Sequence, residues 1–302
     1  MPFLKLSKFF LVLSVILVAG SLVLLVYPGP RLSIEFTGGT LMEFELLPGK
    51  TKDDLLTAFR SFNPEKVAEA TIAVTKTGTY FLRTGTLTNE EHKALALHLQ
   101  KTLGEVQELQ YTTIGPTVGA SLERHAVYAI LAASAAIIVY LAFAFRKMPR
   151  HLSPWSFGVS AVIALIHDLA ITAGIFTMLS YVTTFQVDTL FVSALLSIMG
   201  HSVSDTIVIF DRARDNLFLS HQSEDFATVV IRSLRQSLTR SINMGVAVLT
   251  MLFALFFLGA ESIRWFILTL IIGTVVGAYS SYFIATPIVI LWRQYRSPSV
   301  RS

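Results

Sequence analysis

Five polar side chains capable of charge chemistry stand in stretches that are otherwise apolar: His167, Asp168, His201, Asp205 and Arg240. His201 and Asp205 are four positions apart, so on a helix they share a face. A carboxylate at membrane depth costs about 2.5–3.5 kcal/mol on insertion scales. A chain that keeps one turns it toward a protein interior or a water path, and the chemistry this suits is proton or ion handling. Two other roles remain open for Asp205: a polar contact between helices, or snorkelling, since it lies about 8 Å along a helix from Phe210. Asp168 is the deeper acid, about 18 Å along its own helix from Trp155 and Ser156. It either titrates or clamps a helix, and His167 is either a relay or a satisfied interior hydrogen bond. Arg240 stands where a later apolar stretch begins and could serve both acids as counter-charge. A carboxylate held between the opposing pulls of burial and a neighbouring arginine can load and release a proton. Histidine adds a group that titrates near neutrality. Ser197, Ser202, Ser204 and Thr206 can hold water along the same route.

Other chemistries lack their residues. No second ligand pair at helical spacing accompanies His201, so a metal site is not expected. An intramembrane aspartyl protease would place its acids to share a proton, but no G-x-G-D segment surrounds Asp168 or Asp205. A G-x-S-x-G setting for a serine nucleophile is missing too. The chain is read as no enzyme and as needing no cofactor; the coupling ion would be a proton or sodium.

These residues must be positioned by membrane helices. The 302 residues are 53% hydrophobic and only 15% charged, with a mean hydropathy of +0.62. That is a polytopic membrane protein rather than a soluble domain. The absence of cysteine excludes disulfides and thiolate sites. The net charge of +4 gathers in short loops, a topology signal and not a nucleic-acid footprint.

Residues 1–30 hold the first apolar run, 9–27, preceded by Lys5 and Lys8 and ended by Pro28, Gly29 and Pro30. It reads as an uncleaved signal anchor with its N-terminus inside. Residues 31–125 form an insertion of ordinary polarity. Strands are expected at 34–36 and 41–46, with Gly38 and Gly39 marking a bulge or a close backbone approach. A helix at 51–62 follows, then a hairpin of 67–75 with 79–83 around Thr77-Gly78. Thr88 and Glu91 form a capping box opening a helix to about 103, and a last strand covers 106–113. The order β-α-β-β-α-β is the ferredoxin-like, split βαβ pattern. His92 and His98 lie on a solvated helix and look inert; the domain suits binding or mechanical work.

Residues 126–302 carry five more spans, at 126–145, 155–179, 187–210, 244–258 and 266–292. Arg146, Lys147, Arg150 and His151 place one loop inside, as do Arg293, Arg296 and Arg301 for the C-terminus. The loop 211–242 holds Arg212, Arg214, Arg232, Arg235 and Arg240. Within it Phe226, Val229, Val230 and Leu234 recur at helical spacing, as an interfacial amphipathic helix or an ordinary connector. Asp211 and Arg212 look like a structural corner. Gly273-xxx-Gly277, continued by Ala278, Ser280 and Ser281, allows close packing of the last span, and Pro287 should kink it.

Several motifs, met in order along the chain, resemble the SecF protein-export membrane family of RND-like type. Phe36-Thr37-Gly38-Gly39 is similar to its F-T-G-G signature, and Gly115-Pro116-Thr117-Val118-Gly119 to its G-P-x-V-G element. His167-Asp168 matches its H-D. Gly200 and the run Asp205-Thr206-Ile207-Val208-Ile209-Phe210-Asp211-Arg212 resemble its G-Y-S-x-N-D-T-V-V-x-F-D-R motif. Arg240 with Asn243 resembles R-T-x-N, and Gly277-Ala278-Tyr279-Ser280-Ser281 resembles G-x-Y-S-S. The resemblance implies one half of a SecD–SecF pair in the cytoplasmic (inner) membrane, assisting preproteins through the SecYEG channel with the proton-motive force. It assigns proton passage to Asp205 and Arg240, and a shared but less defined role to Asp168. The chain departs at Ser204, where the family has Asn, and at His201, where it often has Tyr. The polar run after the arginine is replaced by Met244-Gly245-Val246-Ala247-Val248. A lipid or small-molecule exporter and a non-conducting scaffold of the translocon are the competing readings.

Overall fold

The computed structural model describes residues 2–62, 70–74, 78–146, 154–220 and 224–296. The expected hairpin's positions 67–69 and 75–77 and the charges Lys147, Arg150, His151 and Arg301 lie outside them. The chain forms two compact units: residues 31–128 with 186–189, and the remainder.

The first unit is built on a four-stranded antiparallel sheet among the described residues. Its strands are β1 (Gly39–Glu45), β2 (Thr71–Val74), β3 (Tyr80–Thr84) and β4 (Gln107–Ile114), in the order β2-β3-β1-β4. Helices α3 (Lys52–Phe62) and α4 (Asn89–Leu103) cover one face and complete the ferredoxin-like order. Leu55, Ala58 and Phe59 of α3 and Leu95, Leu99 and Leu103 of α4 are buried with Met42, Phe44 and Leu82 of the sheet. Both sets recur at i, i+3 or i+4, which gives each helix one apolar stripe. The capping box is present: Thr88 accepts from Glu91 N–H, and the Glu91 carboxylate accepts from Thr88 N–H at 2.8 Å.

The strand expected at 34–36 is instead a single helical turn, α2 (Ile34–Thr37). Local hydrogen bonds override the alternating pattern: the Ser33 hydroxyl accepts from Glu35 N–H at 3.2 Å, and Gly38 N–H donates to Ile34 at 2.9 Å. Gly38 then turns the chain at a φ of +73°, open to glycine at no steric cost. The bulge lies further on, between Glu43 and Phe44. The close approach is at the glycines themselves. A Cβ on Gly38 would stand 2.9 Å from Pro116 Cα, and one on Gly119 would stand 2.7 Å from Gly38 N. Residues 186–189 join this unit through a parallel bridge between Leu32 and Val187, with Ser33 N–H to Val187 O at 2.9 Å and Val187 N–H to Arg31 O at 2.8 Å.

Six helices among the described residues are long and apolar enough to cross a membrane, all in the second unit except the first turns of α5 and the first residue of α7. They are α1 (Pro2–Val26), α5 (Pro116–Ala144), α6 (Pro154–Val182), α7 (Thr189–Leu219), α8 (Phe226–Leu258) and a last span in three pieces. That span runs α9 (Arg264–Ser280), a π-helical turn (Ser281–Ala285) and α10 (Thr286–Arg296). The fold is therefore the expected one, six membrane helices with a small α+β domain between the first and second. The wide turn directly precedes Pro287, where a kink was expected. Thr286 Oγ1 donates to Ser281 O there at 2.9 Å.

The loop expected over 211–242 is largely helix. α7 continues nine residues past Phe210, and α8 begins at Phe226. Asp211 and Arg212 are thus no corner; they sit on α7, where Asp211 pairs with Arg214 at 2.5 Å and Arg212 donates to Gln236 of α8 at 2.7 Å. The apolar stripe of 226–234 does not face an interface. Val229, Val230 and Leu234 are buried in protein, with Val230 against Ile290 of α10. The connector reading holds, because that face finds a partner helix before it could find lipid.

Candidate functional site

Asp168 of α6 is fully buried, and every side of its carboxylate is occupied. His167 Nδ1 lies 2.9 Å from Oδ1. On Oδ2, Ser280 of α9 donates at 2.8 Å, and Ser202 of α7 donates as well. Close packing makes this possible. A Cβ on Gly277 would come within 3.1 Å of Ser202 Cβ and 3.6 Å of Asp168 Oδ2, and one on Gly273 would collide with Ile198. The Gly273-xxx-Gly277 stripe is thus the seam where α9 meets α7. One turn on, Thr206 and Ser281 share a hydrogen bond of 2.9 Å. The Tyr279 ring lies 5.9 Å from the His167 ring, and its hydroxyl meets Ser14 of α1 at 2.6 Å. His167 Nε2 is left buried without a partner.

Asp205 is placed differently. It is 6% exposed on α7, three positions beyond Ser202. No hydrogen bond reaches its carboxylate among the described residues, although His201 and Tyr282 lie within electrostatic range. His201 Nε2, the Tyr282 hydroxyl and the Ser241 hydroxyl of α8 are all buried without a hydrogen-bond partner. Sequence reasoning misses two of these polar groups, Tyr282 and Ser241. Ser241 had a signal, since Ser233, Ser237 and Ser241 recur every fourth residue and all are buried.

Arg240 is not brought to either acid. It is exposed and has no ion pair among the described residues. The reason is helical phase. α8 starts at Phe226, so Arg240 sits mid-helix, about 100° around from the buried serine stripe. Arg240 is therefore not the counter-charge expected for these acids among the described residues; Asp168 is instead held by hydrogen bonds with His167, Ser202 and Ser280. No group of three or more metal-ligating side chains is assembled among the described residues.

Comparison with known proteins supplies the family. Residues 95–295 match the model of the C-terminal part of protein export membrane proteins SecD/SecF. The SecF translocase subunit of Thermobaculum terrenum is 36% identical over 295 residues, covering 94% of this chain and 91% of that one. The chain belongs to the SecF family. The SecF subunit of a Synechocystis strain is 35% identical over 275 residues, covering 89% of this chain and 84% of the relative. The crystal structure of the SecDF protein from Thermus thermophilus superimposes with a TM-score of 0.82 at 30% identity. The superposition covers 97% of this chain but only 39% of that longer one. As a member of the SecF family the chain is a multi-pass membrane protein that functions in protein translocation.

Proposed function

We propose that this SecF family member assists outward movement of preproteins by spending the proton-motive force, with Asp205 as the group that takes up and releases the proton. The observation that carries the reading is the contrast between the two buried acids. Asp168 is held by three side chains from three helices, an arrangement suited to holding structure. Asp205 is almost as buried, yet no hydrogen bond ties its carboxylate among the described residues, which suits a group whose charge changes in the working cycle. Each charge crossing a 100 mV field carries about 2.3 kcal/mol.

The pair with SecD is part of the proposal. α5 and α8 leave most of their apolar surface uncovered, and Arg240 lies on the open side of α8. A second membrane protein would cover that side and give Arg240 an acid to face. The relative whose name joins both halves, SecDF, makes SecD the natural occupant. SecYEG and unfolded preproteins are the further partners. The arginines 212, 214, 232, 235 and 240 then lie in the cytoplasm, as do both termini, with residues 31–125 outside the cytoplasmic membrane. The chain performs no catalysis and uses no cofactor beyond its coupling ion.

Export into vesicles carrying Asp205→Asn, with the proton gradient first set and then collapsed, tests this. The near-isosteric neutral residue should remove the gradient-dependent part of export and leave the amount of folded protein unchanged. Normal gradient-dependent export by this variant would leave a scaffold as the reading.

A further inference from the structure

Three helical elements bring polar groups within electrostatic reach of one another beside Asp205, and three of their buried atoms have no well-formed hydrogen bond among the described residues. From the last span comes Tyr282, 9% exposed; from α8 comes Ser241, 7% exposed; from α7 comes Asp205 itself, 6% exposed, with His201 one turn before it. The Tyr282 hydroxyl faces Ser241 and is within electrostatic reach of Asp205, but neither hydroxyl completes a well-formed hydrogen bond. His201 Nε2 is equally bare. Buried polar atoms are nearly always paired, and each one left alone is costly. Three such atoms on the helices that pack beside Asp205 are a cluster rather than scattered defects. By contrast, Asp168 and its hydroxyl partners nearby on the same helices are fully paired.

The backbone has been bent to deliver one of them. Ser280, Ser281 and Tyr282 are consecutive, and all are buried. Ser280 meets Asp168, Ser281 meets Thr206, and Tyr282 turns to α8. The π-helical turn begins at Ser281. Such turns are rare and concentrate at working sites.

We propose that Tyr282 and Ser241 hold a water molecule against the Asp205 carboxylate, making Tyr282 the positioning residue for proton arrival at that acid. This rests on the proton-coupled reading above. Two hydroxyls each offer a donor and an acceptor, the carboxylate only acceptors, and the imidazole nitrogen one more site. A buried water makes about three hydrogen bonds, which this set supplies. A hydronium arriving there gives one proton to a carboxylate oxygen, leaving neutral Asp205 and a water that Tyr282 and Ser241 retain. The oxygen and nitrogen donors are those of a water site rather than a sodium cage, which would want five or six oxygens. Of the other charged groups on the packed elements, Asp168 is held by His167 and serines, Asp211 pairs with Arg214, Arg212 with Gln236 and Arg232 with Glu224, while Arg240 is on the exposed side of α8.

The test uses the full chain with its SecD partner in vesicles enclosing a pH-sensitive dye. Gradient-driven proton entry is followed across external pH for wild type, Asp205→Asn, Tyr282→Phe and Ser241→Ala. Tyr282→Phe removes one oxygen and keeps the packing. It should slow entry about tenfold, the change for one lost hydrogen bond to a charged group. It should also move the midpoint of the pH profile upward by about one unit, because the anion loses a stabilising partner. Ser241→Ala should shift the midpoint the same way by less. An unmoved midpoint in Tyr282→Phe, with Asp205→Asn inactive, overturns the water site alone, including where the rate falls only in step with folded protein. Normal proton entry by Asp205→Asn overturns the proton-coupled reading itself.

Discussion

Ser280 donates a 2.8 Å hydrogen bond to Asp168 across 112 positions of sequence, pinning α9 to α6 through an acid that no solvent reaches. With Ser202 and His167 on the same carboxylate, Asp168 is the knot of the membrane unit.

Asp168→Ala should therefore destabilise strongly, by about 3 kcal/mol, since it breaks three buried hydrogen bonds at once and leaves Ser280 only the Gly277 carbonyl to bond. Ser280→Ala, which removes one donor, should cost about 1 kcal/mol. Asp205→Ala breaks no direct side-chain hydrogen bond among the described residues and should cost far less than Asp168→Ala. Thermal unfolding of the three variants in detergent separates the structural acid from the working one.

The two glycine motifs make a second prediction. A methyl on Gly119 meets the backbone of Gly38 and Phe36, which cannot rotate away. Gly119→Ala should cost about 1–3 kcal/mol, as overpacking does. Gly115→Ala, with open space around it, should cost almost nothing. Limited proteolysis of the first unit provides the readout.

Asp54 gives a pH dependence outside the membrane. Its carboxylate accepts from Thr51 N–H at 2.8 Å and from the Thr51 hydroxyl at 3.0 Å, and the backbone bond is the larger cause holding its pKa below the ordinary 3.8. A depressed folded value means the acid stabilises α3 fully above pH 3.8 and loses that contribution as pH falls through the lower folded value. Amide exchange over α3 in wild type and Asp54→Asn should thus differ at pH 6 and converge in strong acid. A constant difference at every pH would contradict it.

The apolar runs announced the spans, and the alternation and capping signals announced the sheet and its helices. Hydrophobicity is local and periodic, so one sequence carries it. What stayed hidden depends on partners. Ile34-Glu35-Phe36 alternates like a strand, yet Ser33 and Gly38 close it into a turn. Residues 211–219 looked like a charged loop because Asp211, Arg212 and Arg214 suggested water, whereas their partners lie on α8 and within α7 itself. Arg240 was read from its position near an apolar stretch, but its direction is set by where α8 begins. The acids were legible by type and depth; which one is tied and which one is free was not, because that depends on hydroxyls from other helices.

The Glu35 carboxylate accepts from both the backbone N–H and the hydroxyl of Thr189, each at 2.7 Å and 154 positions away, beside the bridge between Leu32 and Val187. During synthesis this fixes an order of assembly. The sheet and its two helices can form as soon as Ile114 has emerged. The clasp that finishes the same unit must wait until the second and third spans have crossed the bilayer and Val187 and Thr189 have followed them. Completion of the domain thereby reports that the second and third spans are in place.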